Sequence, residues 1–178
     1  IVGSSGMGAL CYVPETKLQQ EESQRSFDEM QQMALDVLSE RTDENADVLY
    51  CKSGNSGGVR PKCLYSDDDG HWLVKFRHTY DPKNIGQLEY DYNKVARQCG
   101  IDVPDFKLIE GKYFAVRRFD IENDVRLHIV TASALLNEPI TPPKMEYHNL
   151  LQLTGYLTQS PKAVEQPFRR QAFNVYAH

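Results

Sequence analysis

Apolar and polar positions recur along this chain with a period that changes several times, and each change predicts an element. Residues 8–13, Gly-Ala-Leu-Cys-Tyr-Val, are a short apolar run that predicts a strand closed by Pro14, whose missing amide cannot continue a ladder. From Ser26 the period lengthens. Phe27, Met30, Met33, Ala34, Val37 and Leu38 recur at helical spacing, and Ser26 with Glu29 three residues on spells a capping box. The methionines of that stripe read as core filler. Lys-Cys-Leu-Tyr at 62–65 and His-Trp-Leu-Val-Lys-Phe at 71–76 flank Ser-Asp-Asp-Asp-Gly, a turn-forming stretch, and together predict a hairpin. On its second strand Trp72, Val74 and Phe76 share one face and Leu73 and Lys75 the other, in a strand that reads as covered on both sides. The three aspartates read as a solvated turn, because adjacent side chains rarely converge on one ion and calcium-loop spacing is absent.

A helix is predicted over 86–99, with Leu88, Tyr92, Val95, Ala96 and Cys99 as one apolar stripe and Gly100 as its stop. A second hairpin follows, Phe-Lys-Leu-Ile and Tyr-Phe-Ala-Val-Arg-Arg-Phe around Glu-Gly-Lys. After Asp120 the character turns helical. A short apolar helix lies in the stretch from Thr131, ahead of a proline-bearing connection, and a second helix covers 145–158. Ser160-Pro161 then resembles a cap with proline in the first turn, leading a helix that Pro167 would kink or split. The reading is α+β, with segments at 1–50, 51–120 and 121–178.

Composition narrows the function classes. The chain has 178 residues, 40% of them hydrophobic and 25% charged, which suits a globular protein rather than a disordered or fibrous one. No apolar run approaches the roughly 18 residues of a membrane span. A net charge of −5 argues against a protein built mainly to grip nucleic acid. Cys11, Cys51, Cys63 and Cys99 form no CxxC pair, and read as reduced, mostly packed thiols of a cytoplasmic protein. No signal-peptide pattern opens the sequence, and Ile1 in place of an initiator Met suggests a fragment.

The candidate chemistry gathers around Ser-Gly-Asn-Ser-Gly-Gly-Val-Arg-Pro-Lys at 53–62. Three glycines in six residues leave backbone amides bare, so an anion can approach closely, and phosphate is the obvious one. Lys75 follows on a strand, where an isolated buried ammonium would be costly and must reach solvent or a negative partner. Glu89 stands near the start of the next helix. Glycine-rich loop, strand lysine and helix glutamate, in that order, are parts that a kinase uses to cover, hold and orient a nucleotide's phosphates. His71, His78, His128 and His148 sit in no catalytic-loop setting and read as structural or surface residues.

These residues carry a resemblance. SGGVRPK at 56–62, WLVKF at 72–76, LEYDYNKVARQCGIDVPDFKLIE at 88–110, YFAVRRFD at 113–120 and FRRQAFNVYAH at 168–178 together resemble the HipA family of toxin–antitoxin serine/threonine kinases. MGALCYVPE near the start is similar to that family's N-terminal subdomain. The resemblance implies a kinase-like N-lobe over 51–120 followed by the start of a helical C-lobe. It implies that Gly57, Gly58, Val59, Arg60, Pro61 and Lys62 form the nucleotide-covering loop, that Lys75 holds phosphate with Glu89 orienting it, and that Arg117, Arg118 and Phe119 form the adenine-holding hinge. ATP and Mg²⁺ are the implied cofactors, the metal ligands lying beyond His178. A serine on a cellular protein such as an aminoacyl-tRNA synthetase is the implied substrate, and a DNA-binding antitoxin the implied partner. The loop serine that some members autophosphorylate aligns with Asn55, leaving Ser56 or Ser53 as candidate acceptors. The family's catalytic loop would follow directly on FNVYAH, so no catalytic residue is expected within the chain and phosphoryl transfer is not expected of it alone. A non-catalytic partner-binding module and a small-molecule phosphotransferase are the rival expectations.

Overall fold

Two stretches of alternating side chains, each folded back by a tight turn, build the central sheet. In the computed structural model, which describes residues 6–11, 13, 25–39, 60–138 and 145–177, strands β1 (Lys62–Asp67) and β2 (Gly70–Lys75) pair antiparallel with Cys63 opposite Val74. Strands β3 (Phe106–Ile109) and β4 (Tyr113–Arg117) pair likewise, with Leu108 opposite Phe114. Glu110 and Gly111 take φ of 51° and 67° in the second turn, a left-handed path that glycine follows at least cost. β4 then pairs with β2, giving one antiparallel sheet of order β1-β2-β4-β3. Both hairpins fall where the sequence predicts them. The fold is α+β, an antiparallel sheet with helices.

The chain divides into two units, one of residues 1–92 and 104–129, the other of 93–103 and 130–178. In the first, helix α1 (Phe27–Leu38) covers one face of the sheet. Its capping box is complete: the Ser26 amide donates to Glu29 Oε2 at 2.8 Å and the Glu29 amide to Ser26 Oγ at 3.2 Å. Phe27 and Met30 enter a core with Cys63, Trp72, Val74, Phe76, Tyr113 and Ala115. Burying side chains of this size contributes about 1.5–3 kcal/mol each. The methionine reading holds, with both Met30 and Met33 buried.

Helix α2 (Ile85–Gln98) begins on the sheet's other face, and here the predicted stripe holds only at Ala96. Leu88, Tyr92 and Val95 are 46%, 41% and 48% exposed and Cys99 is exposed, while the covered positions include Gly86, Glu89, Tyr90, Asn93 and Ala96. The seat demands it. A Cβ on Gly86 would lie 2.9 Å from the Lys112 carbonyl carbon and 3.2 Å from the Phe114 amide nitrogen, so only glycine fits. Tyr90 meets Phe106 edge-on at 5.3 Å, and Glu89 occupies a polar position described below.

The strand expected at 8–13 is not formed among the described residues; 6–9 bend instead. Gly8 has φ 76° and donates its amide to Asp120 Oδ2 at 2.7 Å, which turns the chain out of extension. Asp120 is fully buried and also takes Arg118 Nε at 3.0 Å and Nη2 at 2.7 Å. Burial pushes its carboxyl up, but Arg118 and the Gly8 amide outweigh that and hold it below the usual carboxylate range. A small hairpin of β5 (Ile121–Glu122) and β6 (Val125–Arg126) follows, turning through left-handed Asn123 and Asp124, and has no counterpart in the sequence reading.

In the second unit, Gly100 ends α2 as predicted, at φ 74°, and the Ile101 amide reaches back to the Ala96 carbonyl at 3.1 Å. A short helix α3 (Ala132–Leu135) precedes α4 (Tyr147–Thr158) and α5 (Pro161–Tyr176). Ser160 takes the N-cap position without a side-chain hydrogen bond, and α5 runs unbroken through Pro167. Gln166 accepts from the Asp102 amide and donates to the Gly100 carbonyl, tying the end of α2 to α5. Of the described cysteines only Cys63 is buried, so the expectation of mostly packed thiols fails for Cys11 and Cys99; none of the three forms a disulfide. Among the described residues, no helix is long and apolar enough to cross a membrane.

Candidate anion-binding site

Sheet register sets up the site before any side chain is considered. Lys62 on β1 lies directly opposite Lys75 on β2, so two like charges share one face at the closest cross-strand spacing. Such pairs oppose folding unless an anion lies between or beside them. Lys62 is 7% exposed, and burial together with the neighbouring Lys75 charge pulls its ammonium below the usual lysine range, with Glu89 partly restoring it. Lys75 keeps 33% of its side chain open, so the expected double cover is incomplete. Its Nζ stands 3.2 Å from Glu89 Oε2 and 5.2 Å from the Phe114 ring centre.

Glu89 is shared. Arg60 Nη1 donates to Glu89 Oε1 at 3.1 Å, while Arg60 Nε and Nη2 donate to the two oxygens of Asp81 at 2.8 and 2.9 Å. The Arg60 hydrogen bonds hold the Asp81 carboxyl below its ordinary value, against the pull of burial, and the His78 amide at 2.8 Å adds to them. Among the described residues, the Arg60, Lys62 and Lys75 cations gather about the carboxylates of Asp81 and Glu89. Beside them on the same face runs a half-buried apolar row, Leu64, Leu73, Val116 and Phe106, in continuous register. A polyanion carrying a flat apolar group suits this combination.

The structure thus brings Arg60, Lys62, Lys75 and Glu89 together, with Pro61 between the first two. Gly57, Gly58, Val59, Ser56 and Ser53 lie outside the described residues. Arg117, Arg118 and Phe119 lie at the end of β4. Arg117 Nη2 donates to the Asp69 carbonyl at 2.7 Å, the Arg118 amide donates to the His71 carbonyl at 2.9 Å, and Phe119 is exposed. Asp81 was missed by the sequence reading. Its only local signal is Asp-Pro ahead of a helix, which reads as a turn; its partner Arg60 is 21 residues away. In the first turn Asp68 and Asp69 are exposed, as a solvated turn requires, while Lys107 Nζ reaches Asp67 at 2.6 Å and Asp69 at 3.1 Å. His78 is buried and stacked on Tyr80. Among the described residues no group of His, Cys, Asp and Glu could hold a metal ion.

Residues 54–178, which include every member of this cluster, match the family described as the HipA-like C-terminal domain. The chain belongs to that family. This bears out the resemblance read from the motifs, and it makes the chain a relative of a toxin-related, kinase-related group. The HipA-like domain takes in the three hairpins, α2 and the later described helices. No curated protein and no solved structure matches the chain.

Proposed function

We propose that this HipA-like domain contributes the nucleotide-holding part of a serine/threonine protein kinase, with ATP as its ligand. The observation that carries the reading is the Lys75–Glu89 ion pair at 3.2 Å, a strand lysine met by a helix glutamate beside a second buried lysine. A lysine so aimed serves as a point charge on a nucleotide's phosphates. A kinase-like N-lobe accounts for the sheet order and for α2 falling between β2 and β3. The fit of ATP rests on the residues themselves. Lys62 and Lys75 supply positive charge for phosphate, and Leu64, Leu73 and Val116 offer an apolar surface for a base. When bound, ATP would supply a transferable phosphoryl group; the domain's own residues bind and orient it. The described residues do not fit Mg²⁺, so no step is assigned to the metal. We take a serine of a cellular protein as the acceptor and a DNA-binding antitoxin as the partner, as the resemblance read from the motifs implies.

Titration of the chain with ATP, followed by heat or by a fluorescent ATP analogue, tests the proposal. Saturable binding is expected. It should be displaced by tripolyphosphate and weakened about 10- to 100-fold by Lys75→Met, as loss of a charge-assisted contact requires. Absence of binding at millimolar ATP, or equal binding by Lys75→Met, would overturn it.

A further inference from the structure

Glu89 is gripped from two sides, and the second grip has no part in the proposed function. Arg60 precedes β1, Asp81 lies in the loop between β2 and α2, and Glu89 lies on α2, so one guanidinium joins three segments. The planar fork of arginine suits this, taking Asp81 with two parallel hydrogen bonds and leaving Nη1 for Glu89. Asp81 is itself fixed. It accepts from the His78 amide, and its own amide donates to the His78 carbonyl at 3.1 Å. Contacts therefore run unbroken from Asp81 through Arg60 and Glu89 to the Lys75 ammonium.

The sheet-facing side of α2 gives this chain of contacts its importance. The helix has no apolar knob at Gly86, where backbone nearly touches backbone, and a carboxylate one turn later. A hydrogen bond from Arg60 Nη1 helps to fix the Glu89 carboxylate there. Three of the five N–H donors of Arg60 are engaged by two carboxylates, which ties the guanidinium to both segments at once.

We propose that Arg60 and Asp81 are positioning residues: Asp81 holds Arg60, which sets Glu89 so that its other oxygen aims Lys75. The inference rests on the nucleotide-holding reading of the same site.

The rival, Arg60 as a direct phosphate ligand, predicts the opposite sign for one substitution. Asp81→Asn would then free a cation and remove an anion, so ATP should bind as tightly as before or tighter. Positioning requires Asp81→Asn and Arg60→Met each to weaken ATP binding by a similar factor, about 5- to 30-fold, with the double variant no worse than either alone. Tighter or unchanged binding by Asp81→Asn, or a double variant whose loss is the product of the two, overturns the proposal. Should Asp81→Asn unfold, Arg60→Lys decides. It keeps a charge for phosphate but cannot fork between two carboxylates, so positioning demands weaker binding and a direct contact demands near-parental binding. Hydrogen exchange of the unliganded chain gives an arm independent of nucleotide. Amides in the first turns of α2 should lose protection in both single variants, and unchanged protection sinks the positioning role even if ATP never binds.

Discussion

Gly86→Ala tests the seat of α2. In a helix interior alanine stabilises relative to glycine by about 0.5–1 kcal/mol, an upper bound for Gly86, the second residue of α2. Here the added methyl would lie 2.9 Å from the Lys112 carbonyl carbon, with the carbonyl oxygen closer still. Carbon atoms settle about 3.5–4.0 Å apart, so the helix must retreat by roughly 1 Å. Both atoms it meets are backbone, in the turn and first residues of β4, and cannot swing aside. The retreat opens the Tyr90–Phe106 contact and carries Glu89 Oε2 away from Lys75 Nζ, now 3.2 Å apart. Overpacking of this kind costs about 1–3 kcal/mol, which exceeds the propensity gain. Urea unfolding should therefore give a lower midpoint with an unchanged slope, and ATP binding should weaken in parallel. A midpoint equal to or above the parent's would refute the close backbone approach from which the argument starts.

Lys62→Met should raise stability at neutral pH by about 0.5–1 kcal/mol, since it removes a like-charge cross-strand pair, while weakening ATP binding. The folded-state value of Lys62 is lowered, so its cost is present at neutral pH and is relieved only as pH rises through the lysine range; urea midpoints that show no gain near pH 7 would contradict this. Asp120→Ala leaves Arg118 without its buried partner and should cost about 3–5 kcal/mol by thermal or urea unfolding, a small change counting against the clamp. Asp81 and Asp120 both have lowered folded-state values, so their contribution is complete above the unfolded carboxyl value of about 3.9 and is lost as pH falls through the folded one. Stability should decline below about pH 4, and a profile flat to pH 3 would contradict it.

Local chemistry was legible in the sequence. The Ser26–Glu29 box, the two hairpin turns and Gly100 each act within a few residues, where spacing carries the information. So was the Lys75–Glu89 pairing, because element order and charge sign suffice to suggest it. What spacing could not carry depends on distant chain. Gly8 bends because Asp120 stands 112 residues away, and Asp81 matters because Arg60 does. The stripe on α2 misled for a more general reason. Apolar periodicity finds the side of a helix that oily packing would bury, whereas this seat is made of bare backbone at Gly86 and an ion pair at Glu89.

Cys63, next in sequence to Lys62 and 2% exposed in the core beneath α1, provides a clock already present in the molecule. A thiol reagent labels Cys11 and Cys99 where they stand, but must wait for β1 to peel from its neighbour before reaching this sulfur. The lag before that slower modification measures how often the edge of the sheet breathes, and any ligand that clamps the two facing lysines should lengthen it.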